Sequence, residues 1–398
     1  MNRYFTRKAV TAVCFSITIV GDLITNVISN SDSLRQRVKT EDSLASAING
    51  VEEVIHENVV FRNGLMNSFG YMQALMGKQE VNCFEVVQDQ NGHLHYTYFG
   101  VGPKDTSQLV EKLTEYKDSI HNADTKFVYL MTPDKVIPGY TMFDLGLPYH
   151  YANETADLFL ENLSAKNINY VDFRETMEQS GINPSDLFYK TDHNWKVETA
   201  FWAFGELLDQ LENQFGEMFE QKEYYTDITN YNTIQYTNSF LGSMARKTGI
   251  LYSGVDDFTL IYPKFQTDYS YKASIYNYSI ETKGRFEQAL IQLDMLRYHG
   301  GKYDDEGDKY ESYLYGTKGI AHISNKLKPD APKVLIVKDS FMTPLASFLS
   351  TVCSDIYLVD PRYYNGSIIE YTNSIDDLDY VMVSFTPQNL SDEFFKFN

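Results

Sequence analysis

The sequence predicts an α/β fold with a mainly parallel sheet and a Tyr-rich insertion, and three observations support this. In both halves of the chain, short apolar segments typical of buried strands alternate with longer segments of helical periodicity. From Val197 to Phe215, apolar residues recur at alternating steps of four and three, which indicates one buried face of a helix. From Tyr224 to about Lys318 the pattern becomes irregular and rich in Tyr, Asn and Thr. Residues 224–318 are therefore predicted to be an insertion in the α/β core.

The first thirty residues are predicted to be a signal or anchor segment. Arg3, Arg7 and Lys8 precede an apolar run from Ala9 to Gly21, an order of charge and apolar residues typical of exported chains. The run is shorter than the roughly 18 to 20 residues of a spanning helix. A cleaved signal peptide, an uncleaved anchor and an amphipathic helix of a cytosolic protein all stay open, and the lack of a small-residue cleavage site favours the anchor.

After this segment, the polar residues 31–57 are predicted to be a linker, and residues 58–398 to form the α/β domain. Asn91-Gly92 is a typical hairpin turn and sets the first strand pair. In chain order, the predicted elements are a helix over Leu65–Met76, strands over Val81–Val87 and His93–Phe99, a helix over Gln108–Ile120, a strand over Lys126–Met131, a helix over Glu154–Lys166, a strand over Asn169–Phe173, the long helix from Val197, a helix over Phe286–Tyr298, a strand over Val334–Val337, a helix over Thr343–Cys353, and strands over Asp355–Val359 and Tyr380–Phe385.

Composition narrows the classes of partner. The net charge of −20 argues against nucleic acid, because a polyanion would be repelled. The three cysteines form neither a disulfide framework nor a spaced Cys/His cluster, so no metal site and no cofactor are predicted. The acidic run Asp304–Asp308 lacks the ligand spacing of a calcium loop and is predicted to be solvated. The 31 tyrosines suit a sugar-binding surface, although half-buried packing would also explain them.

Two separate segments carry candidate site residues. Ser340 follows an apolar strand and precedes a helix, a corner that exposes a hydroxyl close to helical N–H groups able to stabilise an oxyanion. Asp192 and Asn194 lie directly before the helix that begins at Val197, where N-capping is the alternative role for such residues. Arg362 follows another strand and could bind a carboxylate or an oxyanion, or pair with Asp360.

Four blocks of sequence resemble a known family. Thr191-Asp192-His193-Asn194-Trp195 differs by one residue from the Thr-Asp-His-His-Trp signature of the DHHW proteins. These bacterial envelope proteins are similar to the alginate O-acetyltransferase group of the SGNH hydrolase-like superfamily. The later blocks, in the same order, are Phe240–Gly249, Lys338–Phe341 and Asp360–Tyr364. The resemblance covers most of the chain after the N-terminal segment and implies a three-layer SGNH-like fold that is circularly permuted.

The resemblance also implies roles for individual residues. Asp192 corresponds to an acid that orients a histidine, and Ser340 to the nucleophile. Asn194 occupies the position of the general base, which an amide cannot replace because it takes up no proton near neutral pH. His193 is the candidate substitute, although a neighbouring side chain points in another direction. Four further residues are assigned to substrate binding: Arg362, Trp195, Ser243 and Asp339.

The resemblance therefore implies an exported protein of the cell envelope, anchored or secreted. It would act on an envelope polysaccharide as an O-acetyltransferase or esterase, together with a membrane-bound protein that donates the acyl group. Because of Asn194, its activity is expected to be weak or lost. The alternative is a non-catalytic protein that binds glycan or protein at the cell surface.

Overall fold

The computed structural model describes residues 13, 16, 17, 20, 21, 23–32, 35, 60, 62–97, 100–216, 218–296, 298–299, 302–303 and 307–398. Most of the predicted N-terminal segment (1–30) and of the predicted linker (31–57) lies outside these residues. Within the described part, no helix is both long enough and apolar enough to cross a membrane. The chain divides into two units, Met1–Met72 and Gln73–Asn398, and the features below belong to the second.

An eight-stranded sheet forms the centre of this unit. Five neighbouring strands run parallel, and three antiparallel strands extend the sheet on one side. In spatial order the strands are β5 (Asn169–Asp172), β4 (Lys126–Met131), β15 (Tyr380–Ser384), β13 (Lys333–Lys338), β14 (Asp355–Val359), β12 (Ile320–Asn325), β8 (Tyr269–Ile275) and β9 (Tyr278–Gly284). The mainly parallel sheet predicted from the sequence is confirmed.

Within the part of the chain that the structure describes, three shorter sheets accompany the central one. Their strands are β1 (Glu80–Val81), β2 (Val86–Gln88) and β3 (Leu94–Tyr96); β6 (Tyr231–Phe240) and β7 (Asp256–Pro263); and β10 (Tyr298–His299) and β11 (Lys302–Tyr303). The hairpin predicted around Asn91-Gly92 is confirmed, because β2 pairs with β3 antiparallel and Gly92 has φ +82°. The strands are shorter than predicted.

Helices cover both faces of the central sheet, which gives three layers. Helix α1 (Arg62–Leu75) spans the boundary between the two units. The helices of the second unit are α2 (Ser107–Asp118), α3 (Ala152–Ala165), α4 (Phe173–Met177), α5 (Pro184–Leu187), α6 (Val197–Phe215), α7 (Lys222–Thr226), α8 (Ala245–Thr248), α9 (Ile250–Ser253), α10 (Phe286–Ala289), α11 (Met342–Leu349) and α12 (Ile368–Asn373). On one face, α6 and α11 pack on the strands through buried side chains such as Phe204 and Leu345. On the other face, α2 and α3 do so through Leu113 and Phe159. Along each parallel strand, successive side chains point to opposite faces of the sheet and so pack in turn into the core on one face and the core on the other.

The segment predicted to be an insertion supplies strands to the central sheet. Within residues 224–318 lie β8 and β9, and both pair into the eight-stranded sheet. Tyr269 and Tyr271 alternate with exposed or half-buried residues along β8 and are themselves buried, which is the pattern of a strand with one covered face. Much of the tyrosine in this segment is therefore core.

The helix predicted over Phe286–Tyr298 is wrong beyond its first turn. Helix α10 ends at Ala289, and a 3₁₀ turn covers Leu293–Leu296. Between them, Ile291 forms a β-bridge with Tyr313. Of the leucines that suggested helical periodicity, Leu290 and Leu296 are buried in the core, whereas Leu293 is exposed.

Candidate functional site

The carboxyl ends of the five parallel strands meet at one rim of the sheet, and Ser340 lies at this rim. Strand β13 ends at Lys338 and helix α11 begins at Met342, so Asp339 and Ser340 form the corner between them. Ser340 is half-buried. Ligands of open parallel sheets bind at this rim, which is where the sequence placed Ser340 and Arg362.

Asp339 fixes the corner and is not available to a substrate. Its side chain is fully buried, and its two carboxylate oxygens accept hydrogen bonds from the Phe341 N–H (3.0 Å), the Thr386 N–H (2.8 Å) and Asn389 Nδ2 (2.8 Å). The predicted substrate-binding role of Asp339 is therefore wrong. The same geometry corrects a second expectation, because the N–H directly after Ser340 is donated to Asp339 and not to an oxyanion.

Asn194 joins Ser340 to Asp192, although Ser340 is 146 residues away in sequence. Ser340 Oγ donates a hydrogen bond to Asn194 Oδ1 at 3.0 Å, and Asn194 Nδ2 donates to Asp192 Oδ1 at 2.8 Å. The three side chains form the relay expected of a Ser–His–Asp triad, with an amide in the middle position. N-capping is not the role of Asp192 or Asn194, since the residue that caps α6 is Lys196.

Asp192 is held as a carboxylate. Burial alone would raise its pKa, but the nearby His193 imidazole and the N–H groups of Ser243 and Asn194 outweigh burial and lower the pKa to about 2. The Asp192 carboxylate accepts hydrogen bonds from the Ser243 N–H (2.6 Å) and the Asn194 N–H (2.9 Å). Asp192 is thus a fixed negative charge directly behind Asn194.

His193 lies beside the relay. Its Nδ1 lies 3.0 Å from Ser243 Oγ and 3.4 Å from Asp192 Oδ1, and its ring lies between Tyr96 and Phe341. The Ser340 hydroxyl is hydrogen-bonded to Asn194, not to His193. His193 therefore lies at the same site as Ser340 but does not accept its hydrogen bond.

Two residues that sequence reasoning missed hold the 190–192 loop in place. The Asp256 carboxylate accepts hydrogen bonds from the N–H groups of Lys190 (2.9 Å) and Thr191 (2.8 Å) and from Thr191 Oγ1 (2.6 Å). Lys135 Nζ donates to the carbonyl oxygens of Asp192 (2.6 Å) and Lys190 (3.1 Å). Burial lowers the pKa of Lys135 to about 8. Neither residue belongs to a sequence motif, so nothing in the local sequence identified them.

Gly242 allows a close approach to this loop. A Cβ at Gly242 would lie 2.4 Å from the Thr191 carbonyl oxygen and 2.5 Å from the Asp192 Cβ. Its N–H donates to Thr191 Oγ1 at 2.9 Å. Ser243, which follows, is half-buried and contacts His193 and Asp192, so it lies beside the relay.

Trp195 has a structural role, and its predicted substrate-binding role is wrong. The indole is fully buried, and Nε1 donates to the Phe341 carbonyl oxygen at 3.0 Å. Tyr310 donates to the same oxygen at 3.2 Å. The indole therefore ties the loop before α6 to the residue after Ser340.

Arg362 forms the ion pair that the sequence analysis left open and also reaches the site. Its Nε and Nη2 donate to the two oxygens of the buried Asp360 at 3.0 and 2.7 Å. The pair orients the guanidinium over the Tyr363 and Phe394 rings.

Two cavities open on either side of Ser340, and Ser340, His193 and Arg362 line both. The first encloses about 200 Å³ and is also lined by Tyr96, Lys135, Thr386 and Gln388. The second encloses about 210 Å³ and is also lined by Asn194, Asp308, Glu311, Thr317 and Tyr363. Two small molecules, or two parts of one, could contact the same hydroxyl.

Asp308 differs from the solvated acid that the sequence predicted. Residues 304–306 of the acidic run lie outside the described part, but Asp308 lines the second cavity and pairs with Arg246 Nη2 at 2.5 Å. Burial and the charge of Asp192 raise its pKa to about 6, against the opposing effect of Arg246. Among the described residues, no group of three His, Cys, Asp or Glu side chains is arranged to hold a metal ion.

Comparisons with known proteins concern the fold that carries this site. The family model of the SGNH hydrolase-like domain of acetyltransferase AlgX matches residues 102–248, a range that includes Asp192 and Asn194 and ends before Ser340. Bacillus cereus PatB1 is similar in structure, with 17% identity, a TM-score of 0.61, and coverage of 79% of this chain and 99% of PatB1. Residues 102–248 are therefore similar to an SGNH hydrolase-like domain, and the fold of the chain is SGNH-like.

A second structure supports the same SGNH hydrolase-like fold. A DHHW family protein from Eubacterium siraeum covers 79% of this chain and 97% of its own, with 17% identity and a TM-score of 0.57. At these identities both likenesses concern the fold. The resemblance to DHHW and AlgX-like proteins is confirmed, and no curated protein matches the sequence.

Proposed function

We propose that this chain is a polysaccharide-recognising protein of the cell envelope with an O-acetyltransferase-like or esterase-like site, in which acyl transfer by Ser340 is weak or lost. One observation carries the proposal: Ser340 Oγ donates its hydrogen bond to an amide oxygen, Asn194 Oδ1, at 3.0 Å.

Attack by a serine hydroxyl requires a group that takes its proton. Asn194 binds that proton as a hydrogen-bond acceptor, but an amide does not take it up near neutral pH. Asp192 is ionised, but Asn194 separates it from Ser340. In a serine protease, loss of one triad member leaves only about 10³- to 10⁴-fold catalysis over water. We expect no more than a comparable residual catalysis here, because the general base is replaced.

The remaining parts of the site favour binding. The two cavities present hydroxyl, amide, carboxylate and guanidinium groups around Ser340, which suits the hydroxyl-rich surface of a sugar. A polysaccharide substrate and an acyl-donating membrane protein are proposed as partners from the resemblance to the alginate O-acetyltransferase group alone. Extracytoplasmic location is proposed from the basic residues that precede the apolar run Ala9–Gly21.

A second candidate function is glycan or protein binding with no acyl transfer at all. It is favoured by Asp339, which takes the N–H after Ser340 and so removes an expected oxyanion donor. Both candidates share the binding site and differ in whether any turnover remains.

The test is hydrolysis of 4-nitrophenyl acetate by the purified chain. We expect wild type to be close to the uncatalysed rate and Asn194→His to be faster, because an imidazole can take the Ser340 proton. Asn194→Gln is the matched control, as it adds a similar volume without a base. Adding Ser340→Ala to Asn194→His should return the rate to the wild-type level. Brisk turnover by wild type that Ser340→Ala abolishes would overturn the proposal.

A further inference from the structure

The β8–β9 hairpin ends in a two-residue turn with an unusual residue in it. Ile275 pairs with Tyr278, so Tyr276 and Asn277 form the turn. Tyr276 has φ +50°, in the left-handed region where turns normally place Gly or Asn. A bulky side chain in this conformation costs free energy, and such residues concentrate at functional sites.

The tyrosines at this tip are exposed, unlike those lower in the hairpin. Tyr276 and Tyr278 are 71% and 61% exposed, whereas Tyr269 and Tyr271 are buried in the core. Burial in the core therefore explains Tyr269 and Tyr271, whereas the two rings at the tip are largely exposed to solvent.

The tip adjoins the Ser340 site through a third aromatic ring. The Tyr276 ring lies 6.2 Å from the Tyr363 ring, edge to face at 87°. Tyr363 lines the second cavity together with Ser340, and the Arg362 guanidinium lies 5.1 Å above the Tyr363 ring. An aromatic surface thus runs from the cavity to the edge of the sheet.

We propose that Tyr276 and Tyr278 form a second sugar-binding subsite, which holds a unit of a glycan chain whose neighbouring unit occupies the Ser340 cavity. This inference rests on the proposed function. A tyrosine ring offers an apolar face to the C–H face of a sugar ring and a hydroxyl to its polar rim. Asp308, Glu311 and Thr317 in the adjoining cavity offer hydrogen-bond acceptors to sugar hydroxyls. A polymer is the occupant that can use both places at once.

The test measures affinity against glycan length. The probe is the envelope polysaccharide of the source organism, hydrolysed to fragments of increasing length and titrated calorimetrically into the full chain. We expect wild type to bind longer fragments more tightly. Tyr276→Ala with Tyr278→Ala should weaken binding of the longest fragments by about fivefold or more while leaving the shortest unchanged, because one stacked subsite is lost. Both side chains are exposed, so the thermal midpoint should not move.

Tyr224→Ala is the matched control, since Tyr224 is an exposed tyrosine of the same unit outside both cavity linings. If the double variant keeps the wild-type length dependence while Arg362→Ala weakens every fragment, the subsite is refuted and the proposed function stands. If wild type binds no fragment of any length, the proposed function fails and the subsite with it.

Discussion

Ser340 lies where a nucleophile would lie, but its hydroxyl proton is donated to an amide oxygen that is not a base. Its hydroxyl points at Asn194, and Asn194 is held in turn by the Asp192 carboxylate. Asp192 would orient and stabilise an imidazolium in an active relay. Here it orients an amide, and we propose that the geometry of the relay persists without its chemistry.

The ionised state of Asp192 makes a prediction about pH. The pKa of Asp192 in the folded chain is about 2, below its ordinary 3.8, so its carboxylate stabilises the fold above about pH 4. The stabilisation of about 2 kcal/mol is lost as pH falls from 4 to 2, because the unfolded chain binds the proton first. Urea unfolding at several pH values measures it. Asp192→Asn should lack this part of the pH dependence; identical slopes for both proteins would contradict the assignment.

At the scale of single residues, the sequence could predict the members of the relay but not their supports. Asp192, Asn194 and Ser340 lie in motifs whose spacing and neighbours are informative. Lys135 hydrogen-bonds to a residue 57 positions away along the chain, and Asp256 to one 65 positions away. A single sequence does not reveal such contacts. Trp195 and Asp339 also lie in motifs, but burial makes them structural. A motif names residues near a site without saying which of them face it.

At the scale of elements, the site depends on the contact between the 190–192 loop and the turn at Gly242. The hydrogen bond from the Ser243 N–H to Asp192 at 2.6 Å needs this contact. A methyl group at position 242 would overlap the Thr191 carbonyl. The loop would then have to move away from position 242, and Asp192 with it.

Gly242→Ala should therefore destabilise the fold by about 1 to 3 kcal/mol, the usual cost of overpacking. Guanidinium unfolding of the purified chain measures the change. Gly205→Ala in α6 is the control, because its Cβ would meet Thr226 at an ordinary 3.6 Å and alanine favours a helix. Equal unfolding free energies for the two variants would show that the Gly242 contact is not tight.

The sequence predicted elements best where one periodicity continues over many residues. Helix α6 begins and ends where its apolar stripe does, and β14 matches its predicted bounds. Strands β8 and β9 were not predicted, because their polar residues and tyrosines do not give a clear alternation of apolar and polar side chains. The end of helix α10 at Ala289 was not predicted, because apolar residues at helical spacing also occur in irregular segments that pack on a core.

At the scale of the molecule, the sheet brings both site segments to one rim while the surface carries a strong negative charge. The net charge of −20 repels polyanions at long range, and the repulsion grows as ionic strength falls. A neutral glycan is unaffected by it.

We therefore expect no binding to double-stranded DNA at low ionic strength, measured by fluorescence anisotropy of a labelled duplex. A basic DNA-binding domain serves as the positive control. Binding that weakens as salt is added would show a phosphate-contacting surface and contradict this expectation.

The claim that Ser340 lacks a base is tested most directly by its reactivity towards an aryl sulfonyl fluoride, followed by mass spectrometry of the peptide that contains Ser340. The amide at position 194 predicts slow modification of wild type and rapid modification of Asn194→His at Ser340. Rapid modification of Ser340 in wild type, at a rate that Asn194→His does not increase, would contradict the account.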